Sequence, residues 1–319
     1  MSRRSAVTLT ALVLALIAGF WFFTLKRADL REAGIEARFA PEGEIISVNG
    51  HDTHVIVRGT GPDLVLIHGA GGNAREFTFD LVSDLEDRFR VFIVDRPGLG
   101  WSAALSDTPE SPAEQARHLA EALRQLGADQ PLVVGHSYGG AVAMAWALEA
   151  DPSGLVILAG ATMPWPGDVD AYYRVLGSSV GGAVLAPLLS AYAGQDRVEE
   201  TLANVFTPDP VPDNYLAGAA VPLAVRIETL RRNAAQVSTL RPHIVRMSET
   251  YGRITIPVEI LHGTADRTVY AEVHAEPLAD LLPNAALTLL DGIGHMPHHV
   301  DRNAVIDAID RAATRAGLR

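Results

Sequence analysis

The chain has 319 residues, 48% hydrophobic and 20% charged, a balance that excludes disordered and low-complexity classes, which lack the apolar surface to offset ordering entropy. A formal net charge of −12 argues against a nucleic-acid partner, and the absence of cysteine excludes disulfides, thiolate metal sites and cysteine nucleophiles. At ~150 residues per domain the length allows about two domains, although α/β folds often run longer as one unit.

Residues 6–25 read AVTLTALVLALIAGFWFFTL, without a single charge. As a helix rising 1.5 Å per residue they span about 30 Å, the thickness of a bilayer's hydrocarbon core. Arg3 and Arg4 precede the run, Lys26 and Arg27 follow it, and Trp21, Phe22 and Phe23 gather near one end like an interfacial belt. The run exceeds the ~7–15-residue core of a signal peptide and no clear A-x-A site follows it. The expectation is therefore an uncleaved single-pass anchor over residues 1–31. Those residues carry +4 (Arg3, Arg4, Lys26, Arg27 and Arg31 against Asp29), leaving −16 for an acidic enzyme body. Positive residues on both flanks nearly balance the orientation signal. The short N-terminus with two arginines favours a cytoplasmic start and an exported body.

After an expected linker over residues 28–43, residues 45–48 and 53–58 flank an Asn49-Gly50 turn, a strong hairpin signal. Short continuous apolar runs follow at residues 64–67, 91–94, 132–134, 155–158, 258–261 and 286–290. They lose the period-2 alternation as strands covered on both faces do. Ser111-Pro112-Ala113-Glu114 is a capping box with proline at the first helical position, opening a helix that runs to Gly127. Strands alternating with helices imply a doubly wound, mostly parallel sheet with helices on both faces. Between 161 and 256 no strand is evident, only helical pieces broken by Pro208, Pro210, Pro212 and Pro222. The expected organisation is a core of residues 44–160 and 257–319 with a mainly helical cap at 161–256.

Gly135-His136-Ser137-Tyr138-Gly139 follows the strand at 132–134 and opens a helix near Gly140. In a G-x-S-x-G turn the serine sits on a strained strand-to-helix corner, where side chains at the glycine positions would clash with the neighbouring helix and strand. A serine nucleophile needs a base and an orienting acid. Among 11 histidines, His295 stands just beyond the strand at 286–290, and Asp266 just beyond the one ending at Leu261. Both lie at the carboxyl edge of a parallel sheet, where such folds bind ligands, and the chain order Ser137, Asp266, His295 is that of nucleophile-elbow hydrolases. The small residues of Ile67-His68-Gly69-Ala70-Gly71-Gly72 suit backbone N–H donors to a substrate oxygen, and the N–H of Tyr138 would be the second. No G-K-S/T follows the loop, so it is not a phosphate cradle.

These motifs resemble the α/β-hydrolase superfamily, specifically its capped members with H-G-x-G-G, D-R-P-G-x-G-x-S, G-H-S-x-G-G and H-G-x-x-D, over residues 45–316. The resemblance implies Ser137 as nucleophile, His295 as base, Asp266 as acid, and Ala70 with Tyr138 as oxyanion donors. Asp95 to Ser102 matches the family's turn after its fourth strand, a structural motif at the pocket rim. Epoxide hydrolases and haloalkane dehalogenases place aspartate at the nucleophile, so Ser137 argues against both.

Several residues carry simpler readings. His68 and His262 are expected to be hydrogen-bonded structural groups. His298 and His299 beside His295 hint at a metal, but no i, i+4 His-Glu partner follows, and no metal or cofactor is expected. Tyr172, Tyr173 and Trp165 either line the substrate site or anchor the cap. The expected activity is hydrolysis of a small apolar carboxylic ester or lactone by acyl transfer. The alternatives are a carbon–carbon bond hydrolase using the same triad and a catalytically idle binding module.

Overall fold

The computed structural model describes residues 3–319, so the first two residues of the expected anchor lie outside it. Asn49 and Gly50 both adopt positive φ, 52° and 84°, the twist a two-residue hairpin turn demands. They join β1 (Glu44–Val48) to β2 (His51–Arg58) with Val48 opposite His51. The remaining strands are β3 (Asp63–Ile67), β4 (Arg90–Val94), β5 (Leu132–His136), β6 (Gly154–Leu158), β7 (Val258–Gly263) and β8 (Ala285–Leu290). Among the described residues they form one sheet in the order β1-β2-β4-β3-β5-β6-β7-β8, parallel from β4 to β8 and antiparallel at β1 and β2.

Successive side chains of each central strand enter two different cores, which is why the sequence shows unbroken apolar runs. Val65, Ile67, Val133, Ile157 and Ile260 pack on one face; Leu64, Leu66, Val134, Val156 and Leu261 pack on the other.

The helices are α1 (Arg3–Arg38), α2 (Arg75–Thr78), α3 (Pro112–Gln125), α4 (Tyr138–Glu149), the cap helices α5 (Ala171–Leu176), α6 (Ser179–Tyr192), α7 (Gln195–Phe206), α8 (Tyr215–Gly218) and α9 (Ile227–Ser248), then α10 (Ala271–Leu281), α11 (Pro297–Val300) and α12 (Arg302–Arg315). The capping box forms as the sequence demands: the Glu114 N–H donates to Ser111 Oγ (3.2 Å) and the Ser111 N–H donates to Glu114 Oε2 (2.8 Å). Trp165 and Tyr173 serve as anchors. Arg241 Nε donates to the Trp165 carbonyl (2.8 Å), and Tyr173 packs against the Leu176 and Ala234 cluster. Tyr172 is exposed.

One expectation is corrected. No linker interrupts residues 28–38; α1 continues unbroken from the apolar run to Arg38. Its first part is exposed and is the one helix among the described residues long and apolar enough to cross a membrane. Its second part docks on the cap. Ala28 and Ile35 are buried, Arg27 and Arg31 donate to the carbonyls of Ala191 and Ser190 (2.8 Å each), and Glu32 Oε1 accepts from Ser190 Oγ (2.9 Å) and the Ile227 N–H (2.7 Å).

Candidate active site

Ser137 joins β5 to α4 at φ 52°, ψ −115°, a left-handed conformation that costs a non-glycine residue on the order of 1–3 kcal/mol. The surroundings enforce it. The Ser137 N–H donates to the Leu158 carbonyl (2.9 Å), and its own carbonyl accepts from Gly140 (3.0 Å) and Ala161 (3.1 Å). A Cβ on Gly135 would strike the Gly139 carbonyl, and one on Gly139 would strike that of Ile67. Both glycines of G-x-S-x-G are therefore required by close backbone approach. Serine at a helix N-cap normally spends its hydroxyl on the first turn, but Ser137 makes no such bond. Tyr138 is the first residue of α4, so its N–H is one of the donors no helical carbonyl can reach, at the positive end of the helix dipole.

Asp266 and His295 come together from the loops after β7 and β8. His295 Nδ1–H donates to Asp266 Oδ2 at 2.7 Å, which fixes the tautomer and leaves Nε2 as a proton acceptor. The other carboxylate oxygen accepts from the N–H groups of Thr268 (2.8 Å) and Val269 (2.9 Å). Burial pushes the Asp266 carboxyl up, but hydrogen bonds from His262 and His295 outweigh it and hold the group ionised below the usual carboxylate range. Burial pulls His295 below the ordinary imidazole value; Asp266 opposes this, while His136 and His262 reinforce it. Ser137 Oγ forms no hydrogen bond among the described residues. The serine is tied to the base indirectly, because His136 Nε2–H donates to the His295 carbonyl (3.0 Å).

The turn after β3 lies against Ser137: a Cβ on Gly69 would come within 3.1 Å of Ser137 Cβ. Ala70 is the exposed corner of that turn. Its orientation follows from the Gly69 carbonyl, which accepts from Arg96 Nη2 (3.0 Å) and His68 Nδ1 (2.9 Å). Since the peptide is planar and trans, the Ala70 N–H points away from those two donors. Arg96 is fully buried. It also donates to the His68 carbonyl, Gln115 and Gln236 (3.0 Å each) and lies 4.2 Å over the Tyr138 ring. Burial draws its guanidinium down to about 10, still charged at neutral pH.

His68 and His262 are the structural groups expected of them. His68 Nε2 accepts from the Arg96 N–H (3.0 Å), and His262 donates to the Val269 carbonyl (2.7 Å). Asp95, at the start of the D-R-P-G turn, accepts from the N–H groups of Ala74 (2.6 Å) and Trp101 (2.7 Å) and from His54 (2.7 Å). It ties strand β2 and the loop after β3 to its own turn.

Sequence reasoning missed two groups. Glu76 on α2 sits 3.0 Å from His136 Nδ1 and 3.2 Å from His298 Nε2, all three buried. Among the described residues this is the grouping whose ligand atoms, within 4.8 Å of one another, could hold a metal ion. Burial pushes the Glu76 carboxyl up, but His136 and His298 outweigh it and keep the group ionised. The second group reaches down from the cap. Asn233 Oδ1 accepts from Gly71 (2.7 Å), Gln236 donates to the Pro97 carbonyl (2.9 Å), and Asp209 accepts from Gly294 (2.7 Å). No local sequence pattern announces these contacts, since each partner lies more than 80 residues away.

Residues 64–308 match the sequence profile of the alpha/beta hydrolase family. A pimeloyl-[acyl-carrier protein] methyl ester esterase from Vibrio vulnificus is 32% identical over 262 residues, covering 77% of this chain and 92% of that protein. An alpha/beta hydrolase fold protein from Burkholderia ambifaria superposes with a TM-score of 0.70 at 25% identity, over 83% of this chain and 96% of that one. The structure of a bacterial membrane phospholipase A superposes with a TM-score of 0.62 at 19% identity, over 97% of this chain and 99% of the other.

Proposed function

The chain belongs to the alpha/beta hydrolase family, and from that premise we propose that it is a membrane-anchored serine hydrolase cleaving neutral carboxylic esters or lactones through Ser137. The observation that carries the reading is a strained serine corner whose hydroxyl makes no hydrogen bond among the described residues, linked through His136 to an Asp266–His295 pair at 2.7 Å. Ser137 Oγ attacks the ester carbonyl as His295 Nε2 takes its proton, and the developing oxyanion is held by the N–H groups of Ala70 and Tyr138. Asp266 keeps the imidazole oriented and stabilises it once charged. Collapse expels the alcohol with the proton from His295. Water, deprotonated by the same imidazole, then attacks the acyl-enzyme and releases the acid. Each oxyanion donor supplies about 3 kcal/mol in the transition state.

The cap supports a neutral substrate. Arg174 and Arg197, the arginines of its first half, are exposed and paired with Asp168 (2.9 Å) and Glu200 (2.6 Å). An anion buried beneath the cap would need a positive partner of its own. The esterase relative supports an acyl ester substrate, and the apolar helix α1 would hold the enzyme beside membrane-borne esters. The two arginines of the short N-terminus favour keeping it in the cytoplasm and the body on the exported side.

The test is covalent labelling of the full-length protein by a fluorophosphonate, followed by kcat/KM on p-nitrophenyl acetate, butyrate, hexanoate and octanoate and on an anionic ring-fission product. Labelling lost in Ser137→Ala, with values rising by up to ~0.8 kcal/mol per methylene to a peak at medium length, supports the proposal. Absent labelling, or strong preference for the dianion, overturns it.

A further inference from the structure

The cap presents an apolar stripe that is largely exposed. Val180, Val184, Leu188 and Tyr192 recur every four residues along α6, so they follow one side of the helix. Val180 is 76% exposed, Val184 45% and Tyr192 41%, and Leu188 is half-buried. The helix carries no charged residue along its whole length. Val175 and Tyr172 of the preceding helix α5 are exposed as well. Contiguous apolar surface of this kind marks an interaction site.

Its position identifies the partner. The Tyr192 ring stacks on Phe20 (centroids 6.3 Å apart, planes 6° apart), and its hydroxyl hydrogen-bonds Thr24 Oγ1 (3.0 Å). Phe20 and Thr24 belong to the apolar run of residues 6–25; Phe20 stands five residues inside its end, about 7.5 Å of helix rise. Tyr192 is therefore held at the depth where that run leaves the hydrocarbon. The last-turn carbonyls of α6, Ser190 and Ala191, receive Arg31 and Arg27 (2.8 Å each). These are the acceptors a helix leaves unsatisfied at its negative end. The C-terminal end of α6 is thus fastened to α1, and Val184 and Val180 stand about 12 and 18 Å of helix rise from Tyr192.

We propose that α6 is an interfacial helix, its Val180–Val184–Leu188–Tyr192 stripe lying in the headgroup–acyl boundary of the bilayer that α1 crosses, so that the cap is seated on a lipid surface. The proposal rests on residues 6–25 being an uncleaved membrane span. The depth fits, because amphipathic surface helices sink about 5–10 Å into that boundary. Tyr192, with its ring on Phe20 and its hydroxyl on Thr24, has the amphipathic form that interfacial belts use.

The absence of native cysteine allows a clean test on the full-length chain in phosphatidylcholine–phosphatidylglycerol vesicles. Single variants Val184→Cys, Leu14→Cys and Glu200→Cys are labelled with a polarity-sensitive fluorophore and quenched either by spin-labelled lipid or by aqueous iodide. The label at 184 is expected to be quenched by a shallow lipid spin label and shielded from iodide, the label at 14 by a deep spin label, and the label at 200 by iodide. Iodide quenching at 184 equal to that at 200, with the label at 14 still protected, overturns the proposal and leaves the anchor standing. Iodide quenching at 14 overturns the anchor and the proposal together. A second arm uses Val180→Asp/Val184→Asp: hydrolysis of a long-chain ester embedded in vesicles should fall about tenfold as interfacial apolar contact is lost, while a soluble short-chain ester is turned over as before. Equal rates on the embedded ester would refute the seating.

Discussion

Replacing Arg96 with methionine tests whether a buried guanidinium aims the oxyanion loop. The side chain has no solvent exposure and donates to the carbonyls of His68 and Gly69, the two residues preceding Ala70. In Arg96→Met the His68 carbonyl loses that donor, while the Gly69 carbonyl keeps His68 Nδ1 and a long bond from the Gly72 N–H (3.4 Å). Unmet buried acceptors cost about 1–3 kcal/mol each, so we expect a loss of about 2–4 kcal/mol, or roughly 5–10 °C in Tm for a domain of this size. The freed Gly69–Ala70 peptide can then rotate, and the transition state forfeits up to one donor, about 3 kcal/mol or on the order of 10² in kcat. Arg96→Lys, restoring charge but not the fork, should fall between. The assay is kcat on p-nitrophenyl butyrate below the Tm of each variant, with near-ultraviolet circular dichroism to certify the fold. A folded Arg96→Met protein with kcat within about twofold of the parent refutes the reasoning.

Ser137→Ala and His295→Ala should each lower kcat by several orders of magnitude, and the double variant by little more, because the groups act as a unit. Asp266→Asn should reduce activity less while leaving the fold intact, and an equal loss from Asp95→Asn would show that the wrong acid was chosen. Because burial sets the free-enzyme His295 pKa below 6.5, kcat/KM should rise with pH to a plateau with its midpoint below that value, where the neutral base prevails; a midpoint above 7 contradicts the geometry. Burial lowers His68, His118 and His274 to about 4. Their contribution to stability is complete above pH 6.5 and is lost as pH falls toward 4, since the unfolded chain binds the protons more readily. A Tm that stays level from pH 7 to 4.5 would be inconsistent with this. Full-length protein should remain with membranes in high salt. A form starting at Phe23 should be soluble and melt higher than one starting at Ala40, which lacks the Arg27, Arg31 and Glu32 contacts with the cap.

Much of the architecture was legible because it is written locally. Residues buried on both faces of β3 to β7 must be apolar in unbroken runs, Asn49-Gly50 supplies the two positive φ angles of the hairpin, and Gly135 and Gly139 are demanded by backbone contact. The identities of Asp266 and His295 followed from their place just past strand ends. The helical segment over residues 28–38 was misjudged because its charges read as linker. Its buried positions, Ala28 and Ile35, are one heptad apart, too sparse a pattern to declare a packed face without knowing that the cap receives it. Glu76 was invisible for a different reason. A glutamate on a one-turn helix has no local mark, and only the sheet brings it to His136 and His298.

The hydrogen bonds from Asn233 to Gly71 and from Asp209 to Gly294 have a consequence for how the cap opens. Each amide belongs to a loop of the core, yet its protector is a side chain of the cap. Both protons can exchange with solvent only when the cap lifts, whereas the amides of β5 and β6 await a larger opening of the sheet. The two loops therefore share one opening equilibrium with the cap. Any ligand that holds the cap down should slow the exchange of Gly71 and Gly294 by the same factor, although the two residues lie on opposite sides of the serine in sequence.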